Sequence, residues 1–127
     1  MTLKKSVVLV DDDKDVLTLL RTNLELNNYK VYDFDDPRKA LEYLQSVDSP
    51  KLLITDIRMP QMTGFELARE VKKHHPEMSI IALTSFEIKK SELGRLLPSA
   101  KIDALVNKPV RMNRFLDTVK TIMASKT

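Results

Sequence analysis

The chain predicts an α/β fold of the doubly wound kind, with a five-stranded parallel sheet and helices on both faces. Three observations lead there. Five short apolar runs alternate strictly with longer segments whose apolar residues recur at helical spacing, the pattern of repeated βα units. Each run is only four or five residues long and reads by composition as a buried strand. The length, 127 residues, suits one domain that buries roughly two-thirds of its unfolded surface.

The elements follow in order. Val7 to Val10 is the first strand, and Val16, Leu17, Leu20 and Leu24 mark a helix that Asn27 and Asn28 end. Lys30 to Phe34 is the second strand. Pro37 opens the second helix at its first turn, where a missing amide is harmless, and Ala40, Leu41 and Leu44 form its inner stripe. Lys51 to Thr55 is the third strand. Phe65, Leu67, Ala68 and Val71 mark the third helix, which must stop before Pro76. Ser79 to Leu83 is the fourth strand. A weaker helix runs through Leu93, Leu96 and Leu97 until Pro98. Ala104 to Asn107 is the fifth strand, and Met112, Phe115, Leu116, Val119, Ile122 and Met123 give the clearest amphipathic helix. Nothing remains for a linker or repeat, so the expectation is a single domain over residues 1–127 with no output domain.

Composition narrows the function classes. Hydrophobic residues make up 43% and charged residues 31%, a water-soluble balance. No run is long enough to span a bilayer. The opening MTLKKSVVLVDDD meets three aspartates too early for a secretory signal. The absence of cysteine excludes disulfides and thiol catalysis. A cytoplasmic location is expected. Net charge is +3, unevenly spread: residues 1–88 hold 12 Lys and Arg against 15 Asp and Glu, and residues 89–127 hold 9 against 3. This back half is either an ordinary solvated surface or a basic docking face for an acidic partner. No zinc-ligand spacing, aromatic-basic interleaving or helix-turn-helix punctuation supports direct contact with nucleic acid.

In open parallel sheets, ligands bind outside the carboxyl ends of the strands. Asp11, Asp12 and Asp13 follow the first strand, Asp56 ends the third, Thr84 and Ser85 follow the fourth, and Lys108 and Pro109 follow the fifth. Taken singly these are ordinary: an aspartate cluster at a helix N-terminus, a strand-end threonine, a surface lysine. Together they put carboxylates, a hydroxyl and an ammonium at one edge. Crowded carboxylates raise one another's pKa or demand a cation. Lys108 is one, and magnesium (or manganese) suits hard oxygen donors. Such a site could leave one oxygen of Asp56 free to attack a phosphoryl group.

The segments VLVDDD, LLITDIRMPQMTGFEL, IALTS and VNKP resemble the four signature segments of response-regulator receiver domains, over the whole chain and at fitting spacings: 45 residues from Asp11 to Asp56 and 28 from Asp56 to Thr84. The resemblance implies a flavodoxin-like sheet of order 2-1-3-4-5. It implies that Asp56 accepts a phosphoryl group from a sensor histidine kinase or phosphotransfer protein. Asp12 would bind the metal directly, Asp11 through water, and Arg58 through its backbone carbonyl. Thr84 would be the switch hydroxyl, the Ser85 amide would face the phosphate, and Lys108 would contact the phosphoryl group. The Lys108-Pro109 bond would be cis. Pro60 and Gly64 would shape the loop after Asp56, with glycine where positive φ is cheap. Arg58 and Phe86 would flank the approach to the phosphoryl group. Asp13 reads instead as a helix N-cap, His74 and His75 as an exposed helix end, and Met112 and Met123 as core.

Two features depart from the family pattern. Leu105 stands three residues before the lysine, where the family usually carries a switching Tyr or Phe. Thr84 to Lys108 spans 24 residues, about two more than is common, with the excess near residues 97–102. Output through an unusual basic face of the fourth and fifth helices, toward an unidentified protein or a second copy of the chain, is the expectation. The rival readings are a constitutive interaction module, a phosphate sink, and an aspartate-nucleophile phosphatase. The last usually has a second aspartate two residues after the first, and here that place is Arg58.

Overall fold

The computed structural model describes residues 4–47, 50–85 and 101–124. Its strands are β1 (Lys5–Val10), β2 (Tyr29–Phe34), β3 (Leu52–Asp56), β4 (Ser79–Thr84) and β5 (Ala104–Asn107). All pair in parallel, in the order β2-β1-β3-β4-β5. The helices are α1 (Lys14–Leu26), α2 (Pro37–Gln45), α3 (Gly64–His74) and α4 (Met112–Ala124). The expected helix through Leu93, Leu96 and Leu97, its stop at Pro98, and Phe86 lie outside the described residues.

The period of two along each strand divides the core. Val8, Val10, Leu53, Ile80 and Ala82 point to one face, where Ala40 and Leu44 of α2 and Phe65, Leu67, Ala68 and Val71 of α3 cover them. Val7, Leu9, Leu52, Ile54, Ile81 and Leu83 point to the other, beneath Leu17, Leu20 and Leu24 of α1 and Phe115, Val119 and Met123 of α4. Met112 is only partly buried against that second cluster.

Side chains mark where the helices start. Asp13 caps α1 by accepting from the amides of Asp15 and Val16. Asp36 caps α2 ahead of Pro37. Thr63 and Glu66 form a reciprocal capping box at α3. At the far end of α4, with no basic residue in its last turn, Lys5 of β1 donates to the carbonyl of Met123 at 3.2 Å. A cation is favoured there because the last carbonyls are unpaired and partly negative.

β3 and β4 each end one residue later than the apolar run that predicts them, and both added residues are candidate site residues. Asp56 is the last residue of β3, paired with Leu83, and Thr84 is the last of β4, paired with Asn107. Both belong to the rigid sheet rather than to loops. Asp103, just before β5, accepts from the Ile80 amide at 2.8 Å through its carboxylate and donates its own amide to the Ile80 carbonyl at 2.8 Å. This clamps the opposite end of the sheet. His75 departs from the expected exposed helix end: it is half-buried, and its Nε2 contacts the carbonyl of Leu44 at the end of α2.

Replacing Thr63 with Ala removes one half of the capping box. Urea denaturation should show a loss of about 1 kcal/mol, as a lower midpoint at an unchanged m-value.

Candidate functional site

The carboxyl edge of the sheet gathers the residues singled out in the sequence. Asp11 follows β1 directly, and its amide donates to the Phe34 carbonyl of β2 at 3.2 Å. Its side chain is completely buried. One oxygen, Oδ1, accepts from the Asp13 amide at 2.9 Å, and the other, Oδ2, accepts from Lys108 Nζ at 2.7 Å. Asp56 is 8% exposed. Its Oδ1 accepts from the Ile57 amide at 3.0 Å and lies 3.4 Å from Lys108 Nζ. Asp12 is exposed, and one carboxylate oxygen from each of Asp11, Asp12 and Asp56 lies within 4.8 Å of the others. Asp13 turns away to cap α1.

One carboxylate oxygen from each of the three residues is near enough to the others for the cluster to share one small divalent ion. Exposure of Asp12 leaves the cluster open to water on one side. Hard oxygen donors of this kind fit magnesium or manganese.

The charges disturb one another as their burial dictates. Burial pushes the Asp11 carboxyl above its usual value, against the bond from Lys108. Burial, then the charge of Asp11, pushes Asp56 up in the same way. Burial works against the charged form of Lys108, yet its bonds and attraction to Asp11 and Asp56 together raise its pKa. The ammonium keeps its proton while the carboxylates resist losing theirs.

The far side of the site is built by β4 and β5. The Lys108 amide donates to the Thr84 carbonyl at 2.7 Å. The Thr84 hydroxyl donates to the Ser85 carbonyl at 3.0 Å. The Lys108-Pro109 bond is cis. Leu105 lies opposite Ala82 in the sheet, partly buried against the α2 and α3 face of the core. Pro60 is exposed, and Met59 beside it is buried in that core.

Gly64 corrects one expectation. No described glycine has positive φ. The requirement is close approach: a Cβ on Gly64 would sit 2.3 Å from the Asp56 carbonyl oxygen and 3.0 Å from the Ile57 Cα. The Gly64 amide donates to the Ile57 carbonyl at 2.8 Å, pinning the start of α3 to the backbone beside Asp56. Thr55, not singled out in the sequence, is buried and donates its hydroxyl to the Asp56 carbonyl at 2.9 Å. Nothing in LLITD separates that role from a threonine's ordinary preference for strands.

Two predictions follow from this packing. Gly64→Ala must displace backbone beside Asp56, and chemical denaturation should register a loss of about 2 kcal/mol. Asp11 and Asp56 hold protons more tightly folded than unfolded, so the folded state binds more protons. Their contribution to stability is full below the ordinary value of 3.8 and is lost as pH rises through the raised folded values. Asp56→Asn should therefore stabilise the metal-free protein at neutral pH. The gap to wild type should close as pH falls toward 3.8. Thermal unfolding of both proteins across pH checks this, and a gap that widened on acidification would contradict it.

Comparison with known proteins agrees with this architecture. Response regulator MprA of Mycolicibacterium vanbaalenii is 28% identical over 121 residues, 95% of this chain and 51% of its own length. The chain thus spans about half of that relative. Among solved structures, a CheY-like response regulator receiver domain protein from Methanospirillum hungatei JF-1 superposes with a TM-score of 0.88 at 26% identity, covering 96% of this chain and 95% of that one. Chemotaxis protein CheY4 of Vibrio cholerae shares the fold, with a TM-score of 0.85 at 24% identity over 94% of this chain and 98% of that one. Among the described residues, no helix is long and apolar enough to cross a membrane. The family model of the response regulator receiver domain matches residues 7–120, and the chain belongs to that family, the receivers of two-component signalling.

Proposed function

We propose that Asp56 accepts a phosphoryl group from a sensor histidine kinase or phosphotransfer protein, in a reaction that requires magnesium or manganese. One observation carries the reading. The two oxygens of Asp56 are unequal: Oδ1 is held by the Ile57 amide and faces Lys108, and Oδ2 has no hydrogen bond or ion pair among the described residues. A carboxylate pinned by one oxygen presents the other in a fixed direction, and orientation of that kind is what a nucleophile needs.

Oδ2 would attack phosphorus as the bond from phosphorus to the donor atom breaks, leaving an acyl phosphate on Asp56. Water attack on phosphorus later restores the carboxylate. A metal held by Asp11, Asp12, Asp56 and the Arg58 carbonyl would supply charge neutralisation for the phosphoryl oxygens. Lys108 would contact one of those oxygens. The Ser85 amide and the Thr84 hydroxyl are the remaining candidate donors. The hydroxyl would first have to turn from the Ser85 carbonyl it now bonds. Phosphorylation would then favour one arrangement of the strand ends and change affinity for another protein. The surface around β5 and α4, with Lys108, Arg111 and Arg114, is the proposed place for an acidic partner or a second copy. The cytoplasm is where such a kinase domain would meet it.

Intact mass after incubation with acetyl phosphate and magnesium tests the chemistry. One added phosphoryl group is expected in wild type and none in Asp56→Asn. Addition to both, or to neither, would sink the assignment. Lys108→Ala should retain more phosphorylation than conformational response, read as amide shifts on phosphorylation. A variant that responded as fully as wild type would remove Lys108 from the switch.

A further inference from the structure

We propose that Thr55 is a positioning residue for phosphoryl transfer: its hydroxyl holds the peptide plane between Asp56 and Ile57, and through that plane it aims the Asp56 carboxylate. The inference rests on reading Asp56 as the phosphoryl acceptor and names the side chain behind it that sets how fast it reacts.

The need for a hydroxyl arises from how the sheet ends. β3 lies between β1 and β4. Its register with β1 stops at Thr55, opposite Val10, but with β4 it runs on to Asp56, opposite Leu83. Successive residues of an inner strand turn their backbone groups to opposite neighbours. The Ile57 amide donates to the Leu83 carbonyl of β4 at 3.1 Å, so the Asp56 carbonyl, at the other end of the same peptide, points to the β1 side. There β1 has already left, and the Asp11 amide donates to Phe34 of β2 instead. A buried carbonyl in that position needs another donor. The Thr55 hydroxyl supplies one at 2.9 Å, from a residue that is completely buried.

The hold on the carbonyl reaches the carboxylate through a rigid unit. A peptide group is planar, so fixing its oxygen fixes the direction of its N–H. The Ile57 N–H is shared between two acceptors, the Leu83 carbonyl at 3.1 Å and Asp56 Oδ1 at 3.0 Å. A small tilt of the plane favours one acceptor over the other. Gly64 packs against the Asp56 carbonyl with no room for a Cβ, but it offers that oxygen no donor. Without the Thr55 hydroxyl, the carbonyl would tilt toward water or another donor, and the N–H at the far end of the peptide would tilt with it. Oδ1 would lose its fixed partner, and Oδ2, the oxygen that would meet phosphorus, would lose its direction. Valine is branched at the same carbon as threonine and fills nearly the same space, so the hydroxyl can be removed without opening a large cavity.

The rate of phosphorylation of the whole chain by acetyl phosphate, followed by intact mass, tests this in wild type, Thr55→Val, Thr55→Ala and Thr55→Ser. Thr55→Val should react roughly tenfold more slowly than wild type, and the deficit should persist at saturating magnesium. Thr55→Ser loses a methyl group but keeps the hydroxyl, and it should run within about twofold of wild type. Thr55→Ala is a second hydroxyl-free variant, which guards against a valine that the strand cannot house, and it should be as slow as Thr55→Val. Hydroxyl-free variants that reacted at the wild-type rate, or a serine variant as slow as they are, would overturn the role of the hydroxyl and leave Asp56 standing as acceptor. A deficit that disappeared at saturating magnesium would place Thr55 with metal binding and overturn the aiming of the carboxylate. Wild type that took up no phosphoryl group would remove the acceptor reading itself, and this proposal with it. Amide spectra recorded without phosphodonor read the geometry directly. The Ile57 resonance should move in Thr55→Val and Thr55→Ala and stay near its wild-type position in Thr55→Ser. An Ile57 resonance that stayed fixed in the hydroxyl-free variants would overturn the link through the peptide plane.

Discussion

Two buried carboxylates face one ammonium at the carboxyl edge of the sheet, and the structure around them exists to hold that group in place. A buried carboxylate without a partner costs several kcal/mol, so Asp11 and Asp56 can share this edge only with compensation. Lys108 supplies one positive charge, and the amides of Asp13 and Ile57 supply one hydrogen bond each. Compensation stays incomplete, because burial still pushes both carboxyls up. The site is electrostatically short of positive charge, the condition under which a small divalent ion binds.

Rigidity comes from the sheet. Asp56 is inside the β3 ladder, Asp11 is tied to β2 through its amide, and Lys108 is tied to β4 through its own. Gly64 brings α3 against the Asp56 backbone at a distance no other residue type tolerates, and Thr55 bonds the same carbonyl from the strand side. The carboxylate at the end of LITD therefore has little freedom beyond rotation of its own side chain. Stability is given up here for placement, a trade usual where a site must be preorganised.

Much of this was legible in the sequence. Strand-end residues are readable because strict alternation fixes a parallel sheet, and a parallel sheet sends every strand's carboxyl end to one edge. That is enough to bring Asp11, Asp12, Asp56, Thr84 and Lys108 together without any coordinates. What stayed hidden was of two kinds. Contacts made by backbone, such as Gly64 on Asp56, leave only a glycine behind, and glycine suggests a positive φ as readily as close approach. Pairings decided by fractions of an ångström, such as Lys108 preferring Asp11 to Asp56, leave no trace in residue type. Asp103 was passed over and His75 read as an exposed helix end because each side chain meets a backbone group of a distant segment, which residue type does not announce.

Leu105 shows how packing constrains what the site can transmit. It sits three residues before Lys108, faces the same core as Ala82 and Ile102, and is only partly buried. A leucine side chain carries no hydroxyl or ring edge, so it senses a neighbour through shape alone. The Thr84 hydroxyl is tied to the Ser85 carbonyl, while the Thr84 backbone is locked to β5 through the Lys108 amide. A turn of that hydroxyl toward the site would break one hydrogen bond and leave the ladder intact. Leu105 would register such a turn as a change in the volume open to it, rather than as a new polar contact. Volume is felt by whatever packs against that side chain, and Leu105 lines the same groove as Arg111 and Arg114.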